Sequence, residues 1–218
     1  MKRLRILFVL VMFSVSVNSF AQYKAPVNGF AQDKGNERMV ITDIARVTFL
    51  NPGLSYEKRI GKFQSLYGQA FVAPSFSVGY SAALGDLSDF HIDPGMTFQY
   101  RYFYNYRNRE AKGKRTEMNS MNYIGASEEM TYTKDAVSGS YYAEADRRLM
   151  HRFGAVWGLQ RNFPGRFSVD FNIGLGYTYA KTTVQDMSGQ YVQIGAKEFG
   201  IVGQLTLGLW LNKKKPID

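Results

Sequence analysis

From Phe167 the chain alternates with a period of two. Phe167, Val169, Phe171, Ile173, Leu175, Tyr177 and Tyr179 fall on one parity, and Ser168, Asp170, Asn172, Gly174, Gly176 and Thr178 on the other. Side chains of a β-strand point alternately to opposite faces, so this run predicts a strand with one bulky apolar face and one small or polar face. The same alternation recurs in Phe98, Tyr100, Tyr102, Tyr104 and Tyr106, in Leu149, Phe153, Ala155, Trp157 and Leu159, and in Ile201, Leu205, Leu207, Leu209 and Leu211. Leu66, Ala70, Val72, Phe76 and Val78 repeat it. Ala45, Val47 and Phe49 give a shorter case, and Leu54, Tyr56 and Ile60 another. Between Asn119 and Tyr132, Met121 and Tyr123 fit the alternation, while Glu128 and Glu129 interrupt it.

Eight strands follow, over 43–50, 53–60, 63–80, 94–107, 119–132, 148–161, 166–180 and 199–212. Gly61-Lys62 and Asn162-Phe163-Pro164-Gly165 read as tight turns. The connection 108–118 is longer and basic, and 81–93, 133–147 and 181–198 read as long polar loops. Short and long connections alternate in an outer-membrane barrel, with short turns on the periplasmic side. The fold class expected is all-β, an eight-stranded antiparallel up-and-down transmembrane β-barrel over 43–212. The bulk lies on one face and Gly, Ser, Asn, Thr and Gln on the other, which suits a wall in lipid around a narrow interior filled by side chains. Tyr104, Tyr106, Tyr177 and Tyr179 stand where an aromatic girdle belongs. A soluble periplasmic ligand-binding barrel is the alternative, with its bulky face turned inward.

Composition adds location. Residues 1–21 have the plan of a secretory signal peptide: Lys2, Arg3 and Arg5, then an apolar stretch over Leu7–Val17, then Ser19-Phe20-Ala21 as a cleavage site. An N-terminal periplasmic segment over 22–42 and a basic tail over 213–218, with Lys213–Lys215, flank the barrel. The net charge is +9, part of it carried by the leader, and secretion argues against a nucleic-acid partner. There is no Cys, which excludes disulfide scaffolds and thiol nucleophiles, and the two His leave little room for a multi-His metal centre. No cofactor or metal is expected.

Strand parity places Glu57, Arg59, Arg101, Arg152 and Asp170 toward the lumen. Counted from the turns, Glu57, Arg101 and Asp170 share a low level, which predicts an ion-pair cluster centred on Arg101. Charges in a dry lumen must be paired, so a plug is preferred over a gate or a narrow ion path. Arg107, Arg109, Lys112, Lys114 and Arg115 form a basic periplasmic turn able to meet anionic headgroups or a protein partner. Ser88-Asp89-Phe90-His91-Ile92-Asp93 carries the only acid–base candidate, His91, in a predicted outer loop; Ser88, His91 and Asp93 would serve a lipid-modifying enzyme. His151 is placed outward near the rim. Tyr141-Tyr142 beside Ser138–Ser140 offers a second surface.

The segment Arg101-Tyr102-Phe103-Tyr104-Asn105, then Arg107, Arg109, Lys112-Gly113-Lys114, Thr116, Asn119-Ser120 and Asn122-Tyr123, resembles small outer-membrane β-barrel proteins of Bacteroidetes-type bacteria. That resemblance implies a barrel in the outer membrane, in contact with its lipid, with a non-enzymatic structural or interaction role toward a periplasmic or extracellular partner. An outer-membrane lipid-modifying enzyme is the competing function.

Overall fold

The computed structural model describes residues 41–81, 85–137 and 144–212, without the side chains of 76–89. The leader, most of the segment 22–42, Ser138–Ser140, Tyr141-Tyr142 and Lys213–Lys215 lie outside the described residues. The chain is all-β. Eight antiparallel strands form one closed ring in sequence order: β1 (Ile44–Thr48), β2 (Gly53–Arg59), β3 (Gln64–Ser81), β4 (Gly85–Tyr102), β5 (Asn122–Thr133), β6 (Arg148–Asn162), β7 (Phe167–Gln185) and β8 (Tyr191–Trp210). A short helix α1 (Tyr106–Ala111) and a 3-10 turn (Glu117–Asn119) join β4 to β5. No helix among the described residues is long and apolar enough to cross a membrane.

Ring closure is confined to one end. β1 meets β8 through Arg46↔Trp210, Val47↔Leu209 and Thr48↔Gly208, and β2 meets β3 from Gly53↔Phe71 to Arg59↔Ser65. β1 and β2 have five and seven residues, below the roughly 9–11 that a tilted membrane-crossing strand uses. β3 and β4, with 18 residues each, and β7 and β8, with 19 and 20, continue far beyond them as two tall hairpins. The closed end carries the turns 60–63 and 163–166 and the helical connection; the tall end carries the hairpin tips.

This corrects the loop assignment. The stretches 81–93 and 181–198 are mostly strand: β4 begins at Gly85, β7 runs to Gln185 and β8 begins at Tyr191. Backbone pairing carries the ladders beyond the sustained alternation, with only scattered apolar side chains such as Phe90, Ile92, Val192 and Ile194 exposed along them. Asp186 Oδ1 closes the β7–β8 tip by accepting from the Ser188 and Gln190 amides at 2.8 and 2.9 Å, with Gly189 at a φ of 84°. Of the three expected long loops only the one after β5 is long. β4 in turn stops at Tyr102, so Tyr104 and Tyr106 belong to the turn and α1, where the chain leaves the wall.

The interior is the polar side. Among the described residues 21 buried side chains are polar or charged against 14 apolar, while Leu54, Leu66, Phe98, Ile124, Phe153, Trp157, Ile173, Leu175 and Leu205 are exposed on the outer wall. β5 departs from the expected sense. Met121 and Tyr123 are buried inside, Glu129 shares their parity, and Glu128 stands on the outer face.

Candidate functional site

Alternation along β1, β2, β4 and β7 brings four charged side chains to one level of the lumen near the closed end. Arg101 on β4 is 1% exposed. Its Nη1 donates to Asp170 Oδ2 at 2.6 Å and to Gln160 Oε1 at 2.7 Å, and its Nε and Nη2 donate to Gln99 Oε1 at 2.9 and 2.7 Å. The guanidinium carbon lies 3.8 Å from the Tyr67 ring centroid and 4.4 Å from that of Tyr123, so the cation sits between two aromatic faces. Tyr123 donates its hydroxyl to the other Asp170 oxygen at 2.8 Å.

Glu57, with no exposed surface, stands beside this pair but belongs chiefly to Arg46. Arg46 Nη2 donates to Glu57 Oε2 at 2.7 Å, Ser65 Oγ to Oε1 at 2.8 Å and Gln160 Nε2 to Oε2 at 2.9 Å, whereas Arg101 Nη1 is 4.0 Å away. Two guanidiniums and two carboxylates balance, and Gln160 bridges both pairs. Such an array is neutral and filled by side chains: each buried charge has an opposite charge, and Arg101, Asp170 and Glu57 have further hydrogen bonds, whereas Arg46 Nε and Nη1 have none and its guanidinium lies 6.0 Å from the Tyr67 ring centroid.

Arg59 and Arg152 share the inward parity and stay out of the cluster. Arg59 is the last residue of β2, half-buried, with its backbone NH donating to Asp43 at 2.8 Å. Arg152 lies two inward positions further along β6 from Val156, the level of Arg101, and donates to Glu129 at 2.7 Å. Arg46, Gln99, Gln160, Tyr67 and Tyr123 complete the array without having been singled out in the sequence. Parity placed the first four inward, but nothing local marked them as partners; Tyr123 counted as outer-wall bulk.

The basic turn folds as α1 and the residues after it. Arg109 donates from Nε and Nη2 to the Arg115 carbonyl at 3.1 and 2.9 Å, and Arg115 lies 3.4 Å from Glu117; Arg107, Lys112 and Lys114 are exposed. Burial lowers the pKa of Arg109. The polar residues after it stitch the closed end. Asn119 exchanges amide hydrogen bonds with the Thr42 backbone at 2.8 and 2.9 Å, the Ser120 hydroxyl donates to the Asn162 carbonyl at 3.2 Å and accepts from its amide at 3.0 Å, and Asn105 and Arg161 hold Asn122. Together with Arg101 and Tyr123, the polar positions of this segment hold the barrel floor.

His91 and Asp93 lie in β4 and not in a loop, both facing the lumen near the tall end. His91 Nε2 is 3.1 Å from Asp93 Oδ2 and 3.4 Å from Asp135 Oδ1. Ser88 pairs with Val78 in the β3–β4 ladder, and its side chain is outside the described residues. The hydroxyls on Asp93 come from Thr133 at 2.6 Å and Ser75 at 3.2 Å. On the outer wall His151 Nδ1 lies 2.8 Å from Glu128, an ionisable pair beside Phe98 and Phe153.

No family model, curated protein or solved structure matches this chain.

Proposed function

We propose that the chain is a small outer-membrane β-barrel of the Bacteroidetes type, with a non-enzymatic structural or interaction role. The observation that carries this reading is the inverted distribution of polarity: bulky apolar side chains crowd the outer wall while charged and amide side chains fill the lumen. In water such a wall is an aggregation hazard; in lipid it is what the surroundings require. The neutral Arg101 plug supports a closed barrel over a conducting one, in keeping with an interior that eight strands leave just wide enough for side chains. Interaction then falls to the two ends. At one end Arg107, Lys112 and Lys114 project from α1 and its exit, a cationic set suited to anionic headgroups or an acidic periplasmic partner. At the other, the two tall hairpins rise above the closed ring.

The test is fractionation of cells with boiled and unboiled gel samples, followed by trypsin on intact cells. The expected result is an outer-membrane protein whose unboiled form migrates faster, cut by external trypsin only at Lys134, Arg147 and Arg148 around the connection after β5 and at Lys181 and Lys197 of the β7–β8 hairpin, since the β3–β4 hairpin has no Lys or Arg between Gln64 and Tyr100. A soluble protein with no mobility shift would overturn the reading.

A further inference from the structure

We propose a divalent transition-metal site at the tall end of the lumen, formed by His91 Nε2, Asp93 Oδ2 and Asp135 Oδ1 with Ser75 Oγ as the fourth donor. These atoms come from β3, β4 and the first residues after β5. The three ligand-type atoms of His91, Asp93 and Asp135 lie within 4.8 Å of one another. Their separations are 3.1 Å from His91 to Asp93 and 3.4 Å from His91 to Asp135, and Ser75 Oγ lies 3.2 Å from Asp93 Oδ2 and 3.3 Å from the other Asp135 oxygen, Oδ2. Four donors around an ion at about 2.0 Å stand about 3.3 Å apart at tetrahedral angles. The three separations of 3.1, 3.4 and 3.2 Å between the proposed donor atoms match that spacing.

A second observation concerns Asp93. It has no exposed surface, yet its Oδ1 accepts no hydrogen bond; Arg147 Nε approaches to 3.4 Å without making one. One oxygen of this buried carboxylate is thus left without a hydrogen bond, a state that costs free energy unless a further partner binds there. Arg147 pairs with Asp93 at 3.4 Å, and Arg148 donates to the Asp135 carbonyl at 2.7 Å and attracts its carboxylate. Thr133 fixes the geometry, donating to Asp93 Oδ2 at 2.6 Å and accepting the Asp135 amide at 3.0 Å. One imidazole with two carboxylates suits Zn2+, Co2+ or Mn2+ over Ca2+ and Mg2+, which favour all-oxygen shells. Bound there, the ion would tie the start of the 134–147 connection to the β3–β4 hairpin.

The experiment uses the full-length protein, purified in detergent, stripped with chelator and offered Zn2+, Co2+ or Ca2+. Wild type should retain one Zn2+ per chain after desalting and give the visible bands of four-coordinate Co2+. His91→Gln and Asp135→Asn should each weaken Zn2+ binding roughly tenfold or more while keeping the mobility of the folded barrel. Failure of wild type to retain Zn2+, equal retention by both variants, or a preference for Ca2+ would overturn the proposal. Should a variant lose the folded mobility, wild type decides alone. Zn2+ should slow tryptic cutting at Lys134 and Arg147 and chelator should restore it; equal cutting with and without Zn2+ overturns the site. A soluble protein that binds Zn2+ would sink the membrane reading and leave this one standing.

Discussion

Replacing Arg101 with Met separates the two halves of the lumen array. The substitution removes a cation that is 1% exposed and donates to Asp170, Gln160 and Gln99 at 2.6 to 2.9 Å. Asp170 then keeps only Tyr123 from the hydrogen bonds described above. Stranding a buried carboxylate costs about 3–5 kcal/mol, and that is the expected loss of folding free energy. The loss should not be shared evenly. Glu57 retains Arg46 at 2.7 Å and was 4.0 Å from Arg101, so it loses a distant charge and no hydrogen bond. A double-mutant cycle of Arg101→Met with Asp170→Asn should therefore give a coupling of about 2–3 kcal/mol, near the upper end for contacting residues. The cycle with Glu57→Gln should give about 1 kcal/mol or less. The assay is urea-induced unfolding in lipid vesicles, followed by tryptophan emission and by the fraction of fast-migrating unboiled band. Equal couplings, or none with Asp170, would refute the claim that Arg101 and Asp170 form the central pair.

Other outcomes follow from separate parts of the molecule. A Cβ on Gly158 would run into the Tyr123 ring. Gly158→Leu should displace the Tyr123 hydroxyl from Asp170 and cost about 1–3 kcal/mol; unchanged unfolding would place the Tyr123 ring elsewhere. Glu144 ties its loop to β7, accepting from Thr182 Oγ1, the Thr183 amide and Thr183 Oγ1 at 2.6 to 2.8 Å. Burial raises its pKa, but these hydrogen bonds outweigh burial and leave the carboxyl below its ordinary value. A depressed folded pKa means the tie is complete above the ordinary carboxylate range and is lost as pH falls through the lowered value. Exchange of the Thr183 amide should accelerate over that acidic window, and Glu144→Gln should exchange faster at neutral pH with little further pH dependence beyond the intrinsic rate. Reversing Arg107, Lys112 and Lys114 to Glu should leave stability nearly unchanged and abolish flotation with anionic vesicles of the protein held in dilute detergent; unaltered flotation would remove the basic segment as a lipid contact.

Parity along single strands determined much by itself. Alternation in the segment from Phe167 fixes which face is bulky, because a strand must point successive side chains to opposite sides. From parity on each strand and counting from the turns, Arg101, Asp170 and Glu57 could be placed inward and at one level, and they stand together in the lumen. The tertiary structure decided everything that depended on neighbours. Which carboxylate Arg101 holds is set by the stagger between strands, which puts Asp170 at 2.6 Å and Glu57 at 4.0 Å. β5 could not be read alone: Met121 and Tyr123 are bulky yet inward, because Tyr123 caps Asp170 and Met121 packs against Ile41 and Phe103 at the floor. The hairpin continuations 85–93 and 181–198 lack the sustained alternation of the lower strands, although Phe90, Ile92, Val192 and Ile194 are exposed along them, so their pairing shows in two backbones in register and not in either sequence. His91, Asp93 and Asp135 meet for the same reason, since only the β4–β5 pairing brings the end of β5 beside residues about forty positions earlier in the chain.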